Sequence, residues 1–205
     1  MSQNNKTKKI SLVITTINKP NNVIKKYLKL CKNFDINYVI IGDKKTPIYP
    51  KKYPLIDTLK QKKLNFKTNS TLPYNSYSRK NIGYLLAMKN KSMIIVETDD
   101  DNYPKNNFFK NLGLKKNLVE LSGPTWINIL KIFDKKNTLI WPRGYPLNLI
   151  TEKNKIIKRS KNITSPIQQR MCDGNPDVDA IFRLTNKDIN YQFKSKNYAL
   201  NNKSL

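Results

Sequence analysis

Ile10-Ser11-Leu12-Val13-Ile14-Thr15-Thr16-Ile17 is the first apolar segment of the chain, and the fold class follows from it and its neighbours. The run is rich in β-branched residues and stops at the turn-forming Asn18-Lys19-Pro20, so it predicts a buried strand. Asn21 and Asn22 can cap a helix behind that turn, where Val23, Ile24, Tyr27, Leu28 and Cys31 recur at helical spacing with lysines between them. Asn37-Tyr38-Val39-Ile40-Ile41 predicts a second strand, ending at Gly42-Asp43-Lys44-Lys45-Thr46-Pro47. Strand, helix and strand with short links make a βαβ unit. The fold class is therefore α/β, Rossmann-like, with a mostly parallel central sheet flanked by helices.

Residues 47–75 are rich in Pro, Tyr and Lys and are expected to loop around a short third strand near 55–59. A second helix is expected over 76–89, with Ile82, Leu85, Leu86 and Met88 apolar. Met93-Ile94-Ile95-Val96 then reads as another buried strand, running into Glu97-Thr98-Asp99-Asp100-Asp101-Asn102. Adjacent carboxylates repel, so such a cluster is costly unless a cation or several donors neutralise it. Asp101-Asn102-Tyr103-Pro104 is also good turn chemistry, but a turn needs one Asp rather than three. A hard-metal site is the favoured reading.

Composition narrows the choice of metal and of chemistry. The 205 residues, 23.9 kDa, suffice for one domain over 1–205, with 1–9 as a flexible basic tail. There is no histidine, which excludes His-based acid–base catalysis, Ser-His-Asp triads and His metal sites. Cys31 and Cys172 lack Cys-x-x-Cys spacing, which disfavours zinc and a disulfide framework. Oxygen ligands remain, and they select Mn²⁺ or Mg²⁺. Lys and Arg number 39 against 14 Asp and Glu, a net charge of +25. Such a surface attracts anions: nucleic acid, acidic lipid headgroups or phosphorylated small molecules. Because Lys, Asn and Ile are all over-used along the chain, compositional drift is favoured over a dedicated polyanion surface. No segment has the length of a signal h-region or a membrane span, so a cytoplasmic protein is expected, with peripheral contact with an anionic membrane allowed.

Ligands of open parallel sheets sit outside the carboxyl ends of the strands. Here those ends carry Thr15, Thr16 and Asn18, then Asp43 and Lys44, then Glu97 to Asn102. Ser78-Arg79-Lys80-Asn81 lies at the start of the second helix, where Arg, Lys and free N–H groups suit a phosphate or a uracil edge. A solvated helix face is the bland alternative, more so for Lys80 than for Arg79. The layout predicts a nucleotide held by the first half, its diphosphate bound through a metal on the aspartates. Further on, Trp141-Pro142-Arg143-Gly144-Tyr145-Pro146-Leu147 is either a rigid turn or a loop presenting Arg143 to an anion. Residues 151–162 are expected to form an exposed, mobile loop. Asp177 and Asp179 project to one side of an extended segment, as a base, as sugar ligands or as partners for lysine.

These residues carry a resemblance. Val13 to Pro20, Gly42 to Pro47, Pro73 to Tyr84, Glu97 to Asn102, Trp141 to Pro146 and Asn175 to Thr185 are together similar to the STELLO-type glycosyltransferase family. More distantly, they resemble the reversibly glycosylated polypeptides, which are UDP-arabinopyranose mutases. The resemblance implies a GT-A fold, a nucleotide-sugar donor (a UDP-sugar being the expected one) and Mn²⁺ on Asp99-Asp100-Asp101. Arg143 matches the arginine that becomes glycosylated in the mutases, but their second arginine, seven residues on, is Ile150 here, which favours the STELLO side. The family pattern runs on past Thr185, so a minimal version or a fragment is expected.

On this reading Asp99 and Asp101 hold the metal. Thr15, Thr16, Asn18, Asp43, Lys44, Ser78, Arg79, Asn81, Asp99 and Asp100 surround the nucleotide. Arg143 stabilises phosphate or sugar charge. Asp177 or Asp179 supplies the base if the reaction inverts; a retaining reaction needs none. The acceptor is an unknown glycan or other hydroxyl compound. The alternatives are a sugar-nucleotide mutase, or a basic nucleic-acid-binding protein or two-metal nuclease, with nucleic acid expected to bind only non-specifically.

Overall fold

The structure, a computed structural model, describes residues 9–110, 112–113, 118–122, 126–136, 138–151, 157–161, 165–186 and 190–200. The basic tail over 1–8 lies outside them. The residues group into two compact units, Met1–Gly113 and Leu114–Leu205.

The first unit is the predicted α/β layer structure. Strand β1 (Ile10–Thr16) leads through helix α1 (Asn22–Asn33) to β2 (Asn37–Gly42) and β3 (Leu55–Ile56). After α2 (Thr58–Lys62) and α3 (Lys80–Lys89) comes β4 (Ile94–Asp99). The four strands are parallel in the order β3-β2-β1-β4. Alternation along β1 divides the core between two faces. Leu12 and Ile14 pack with Ile24, Tyr27, Leu30 and Cys31 of α1, whereas Val13 packs with Val39, Ile41 and with Ile82 and Ala87 of α3. Gly83 brings α3 close to the sheet: a Cβ there would overlap Val13 Cγ1 and stand 3.0 Å from Ile41 Cγ1.

Two elements differ from the sequence reading. The strand expected near 55–59 ends after two residues, because Asp57 accepts from Lys60 N at 2.8 Å and starts α2. The helix expected from Ser76 opens as a 3-10 turn, Tyr77–Arg79, with Ser76 accepting from Ser78 N at 3.2 Å.

The second unit holds a three-stranded sheet, β5 (Leu118–Ser122), β6 (Ile157–Lys161) and β7 (Tyr198–Leu200), with β5 central, antiparallel to β6 and parallel to β7. Part of the loop expected over 151–162 is thus strand; 152–156 and 162 lie outside the described residues. Helices α4 (Ile129–Phe133) and α5 (Ala180–Thr185) contribute to a core of Leu130, Phe133, Ile140, Trp141, Tyr145, Val178, Phe182, Tyr191 and Phe193. The Trp141 and Phe182 rings meet edge to face at 5.1 Å. Buried Asp134, just after α4, accepts from Lys136 N at 3.0 Å, Thr138 N at 2.5 Å and Thr138 Oγ1 at 2.7 Å. Among the described residues no helix is long and apolar enough to cross a membrane.

Candidate active site at the carboxyl edge of the parallel sheet

The strand order places β2 and β3 on one side of β1 and β4 on the other. The chain therefore reverses its progress across the sheet between β1 and β4, the position where open α/β sheets form a ligand crevice. Thr15 is paired with Asp99 in the ladder, and Thr16 with Gly42, so three strand ends finish level with one another.

Alternation along β4 then distributes the acidic run. Thr98 faces α1, where it accepts from the Tyr27 hydroxyl at 3.3 Å. Glu97 and Asp99 turn the other way, to Lys80 at the start of α3. Lys80 Nζ lies 2.7 Å from Asp99 Oδ1 and 3.7 Å from Glu97 Oε2, and Glu97 also accepts from the Tyr84 hydroxyl. Asp100 returns to the α1 side. Its carboxylate accepts from Thr16 Oγ1 and, at 3.0 Å, from Asn18 Nδ2. Its carbonyl accepts from Asn21 Nδ2 at 2.7 Å, while Asn21 Oδ1 caps α1 through Ile24 N at 2.9 Å. Asp101 is exposed.

The loop after β2 closes the neighbouring side. Asp43 is buried; its carboxylate accepts from Lys44 N at 2.7 Å and from Ser76 N at 3.2 Å, which ties this loop to the segment before α3. Thr46 Oγ1 donates to the Thr16 carbonyl and the Tyr49 hydroxyl to the Asn18 carbonyl, both at 2.7 Å. Burial, with Asp100 nearby, pushes the Tyr49 phenol up, so it stays a donor. Ser78 is engaged by the Ser76 hydroxyl at 2.9 Å, and Asn81 Nδ2 donates to the Ser78 carbonyl at 2.9 Å. Lys44 is exposed, its ammonium 4.3 Å from the centre of the Tyr74 ring.

Arg79 sits differently from a solvated or ligand-facing arginine. It is 2% exposed, donates from Nε and Nη2 to Gln61 Oε1 and from Nη1 to the Leu72 carbonyl, and lies 4.6 Å from the Tyr74 ring. Gln61, fully buried, passes the tie on through Nε2 to the carbonyls of Gly42 and Ile56, each at 2.7 Å. Arg79 thus braces the strand ends from within the fold. Sequence reasoning missed Gln61, Thr46, Tyr49 and Asn21 as supports of this edge, and left Lys80 open between a ligand-facing position and a solvated helix face. The capping signal at Asn21 was visible; its second bond to Asp100, 79 residues away, was not.

The donor set suits a hard cation that shares its coordination. Asp99 and Asp101 offer carboxylate oxygens to solvent, whereas Oδ2 of Asp100 is engaged by both Thr16 and Asn18. Among the described residues no three Asp, Glu or Cys side chains converge into a protein-only cage. Mg²⁺ and Mn²⁺ take one or two carboxylates and complete their shell with water and phosphate, so the residues present fit an ion bound together with a diphosphate.

The remaining candidates belong to the second unit, where the two motifs meet each other. Pro142 bridges to Val178, and Arg143 N donates to the Asp177 carbonyl at 3.2 Å. A turn closed by Tyr145 N on the Pro142 carbonyl at 3.2 Å, with Gly144 at φ 78°, projects Arg143 outward. Arg143 Nη2 pairs with Asp177 Oδ2 at 2.9 Å, both side chains largely exposed. Asp179 instead caps α5, accepting from Ile181 N at 2.8 Å.

No family model matches the chain. Two curated proteins of Arabidopsis thaliana are similar to it. "Probable glycosyltransferase STELLO1" is 29% identical over 161 residues and "Probable glycosyltransferase STELLO2" 30% identical over 165, in each case over 68% of this chain. The chain spans about a fifth, 21%, of the length of either relative.

Proposed function

The chain is a relative of the STELLO-type glycosyltransferases, and on that premise we propose that it transfers a glycosyl group from a nucleotide sugar, a UDP-sugar in the specific form of the proposal, to a hydroxyl acceptor. The observation that carries this is the switch point between β1 and β4, where Thr16, Asn18, Asp99, Asp100 and Asp101 gather at level strand ends. A crevice of that kind takes a nucleotide, and the acidic run beside it takes the diphosphate through Mn²⁺ or Mg²⁺.

Each residue has a distinct task. Asp100 locks the loops after β1 and β4 together. Asp43 and Arg79 hold the neighbouring loops in register, which shapes the nucleoside side. Asp99 and Asp101 orient the diphosphate; a divalent ion bound there supplies Lewis-acid neutralisation of the departing charge. On an inverting course Asp177 is the candidate base, since the Asp179 carboxylate is engaged as a helix cap. Arg143 then pairs with Asp177 and orients its carboxylate.

The test is calorimetric titration of the purified chain with UDP and a panel of UDP-sugars, with and without Mn²⁺. Binding that needs Mn²⁺ and is lost in Asp101→Ala is expected. Absence of binding to any nucleotide sugar in the presence of Mn²⁺ would sink the proposal. A parallel titration with DNA should give salt-suppressed binding and no cleavage, the behaviour of a basic surface alone.

A further inference from the structure

Lys80 is unlike the solvated lysines that dominate this chain. Its side chain is 12% exposed, and its ammonium lies 2.7 Å from Asp99 and 3.7 Å from Glu97. An ammonium is strongly hydrated, and withdrawing it from water is offset only by facing charge. The fold supplies that charge deliberately: residues two apart on β4 present both carboxylates to one side, and the Tyr84 hydroxyl fixes Glu97 from the same helix that begins at Lys80.

The consequence concerns Asp99. Lys80 stands on Oδ1 of Asp99, and a divalent cation held by either oxygen of that carboxylate would lie within a few ångström of the ammonium and be repelled by it. We infer that Lys80 is a resident counter-ion of the site, holding Asp99 in the ligand-free chain, releasing it when a divalent ion binds, and turning its charge to the phosphate oxygens of the donor. This rests on the nucleotide-sugar reading above. It adds an order to binding: the ion alone must displace Lys80 with nothing to receive it, whereas a diphosphate offers the displaced ammonium a new anion. Metal and nucleotide should therefore raise each other's affinity, and Lys80 should carry that coupling.

The test uses the full chain in two arms. In the first, amine acetylation of the parent protein is followed by mass spectrometry, with Lys25 of α1 as reference. Saturating Mn²⁺ should raise Lys80 reactivity at least about threefold, and adding UDP should suppress it again, a change in the range of ordinary site coupling. In the second, Mn²⁺ binding is read by electron paramagnetic resonance and UDP binding by calorimetry. Lys80→Met should bind Mn²⁺ alone about tenfold more tightly and UDP with Mn²⁺ about tenfold more weakly. Lys80→Arg should stay near the parent. Unchanged Lys80 reactivity on adding Mn²⁺ overturns the inference, as does parent-like Mn²⁺ affinity in Lys80→Met. If that variant does not fold, the acetylation arm decides. A parent protein that binds UDP with Mn²⁺ while Lys80→Met does the same removes only the role of Lys80. A parent that binds neither removes the transferase reading with it.

Discussion

The Thr16 hydroxyl donates to the Asp100 carboxylate across the point where the parallel sheet reverses its strand order. One residue ends β1 and the other follows β4, so the bond closes the two strand ends onto each other. Asn18 and Asn21 add donors to the same residue, at 3.0 Å and 2.7 Å. Three donors and two acceptors, the carboxylate and the carbonyl of Asp100, that would otherwise lose water at a crevice are satisfied at once. This leaves the acidic run divided: Asp100 is part of the frame, while Asp99 and Asp101 keep oxygens for a ligand.

That division separates two variants. Thr16→Val keeps the shape of the side chain but removes the donor, and should cost about 1–2 kcal/mol of stability, because a partly buried carboxylate loses a charge-assisted bond. Nucleotide affinity should fall with it. Asp101→Ala, at an exposed position, should change stability by less than about 0.5 kcal/mol while abolishing Mn²⁺-dependent binding. Urea unfolding beside UDP titration reads both. Equal stability losses in the two variants would contradict the division.

Arg79 should act on the fold before any ligand is added. Its planar group spans Gln61, Leu72 and the Tyr74 ring, and it is itself only 2% exposed. Arg79→Ala leaves the Gln61 and Leu72 acceptors unpaired and should cost about 1–3 kcal/mol for each that stays buried without a partner. Arg79→Lys keeps the charge without the fork and should recover only part of that. A ligand-free melting curve for Arg79→Ala that matches the parent would mean the arginine serves ligand alone.

The parallel sheet was legible in the sequence because its signals are local. The apolar runs of β1 and β2, the helical spacing from Val23 to Cys31 and the Asn18-Lys19-Pro20 stop each lie within a few residues. The acidic run was legible as a cluster, but not its division, which depends on register: only Thr15 opposite Asp99 fixes which carboxylate meets Thr16 and which meets Lys80. The Gln61–Arg79 brace joins residues 18 apart through a fold that periodicity does not describe. Strand β6 escaped for another reason. Ile157-Lys158-Arg159-Ser160-Lys161 has one apolar residue, and its identity as a strand comes from pairing with β5 rather than from its own pattern.

Gly83 reverses the usual helix rule. Alanine in place of an interior helical glycine ordinarily stabilises by about 1 kcal/mol. Here the added methyl would overlap Val13 Cγ1 and crowd Ile41 Cγ1, both side chains of the core that α3 covers. Overpacking at such a contact costs about 1–3 kcal/mol, so Gly83→Ala should be destabilising overall. Chemical unfolding followed by far-ultraviolet circular dichroism checks the sign, and a stabilised variant would show that α3 can move off the sheet at no cost.

Asp134 should make the second unit sensitive to acid. Burial pushes its carboxyl up, but the hydroxyl and N–H of Thr138 and the N–H of Lys136 outweigh this and hold it below the usual carboxylate value. The unfolded chain then takes up the proton first as pH falls. The stabilisation is complete above the unfolded value, about 3.9, and is lost as pH drops through the folded one. This group should therefore contribute nothing to the pH dependence of stability between about pH 5 and 8, and a growing loss below about pH 4. Trp126 and Trp141, the chain's two tryptophans, both lie in this unit, so intrinsic tryptophan fluorescence follows it alone. Asp134→Asn turns an amide donor toward N–H groups that need an acceptor, and should cost about 1–3 kcal/mol at neutral pH and flatten the acid limb. If the variant keeps the parent's acid limb, another carboxylate carries the sensitivity.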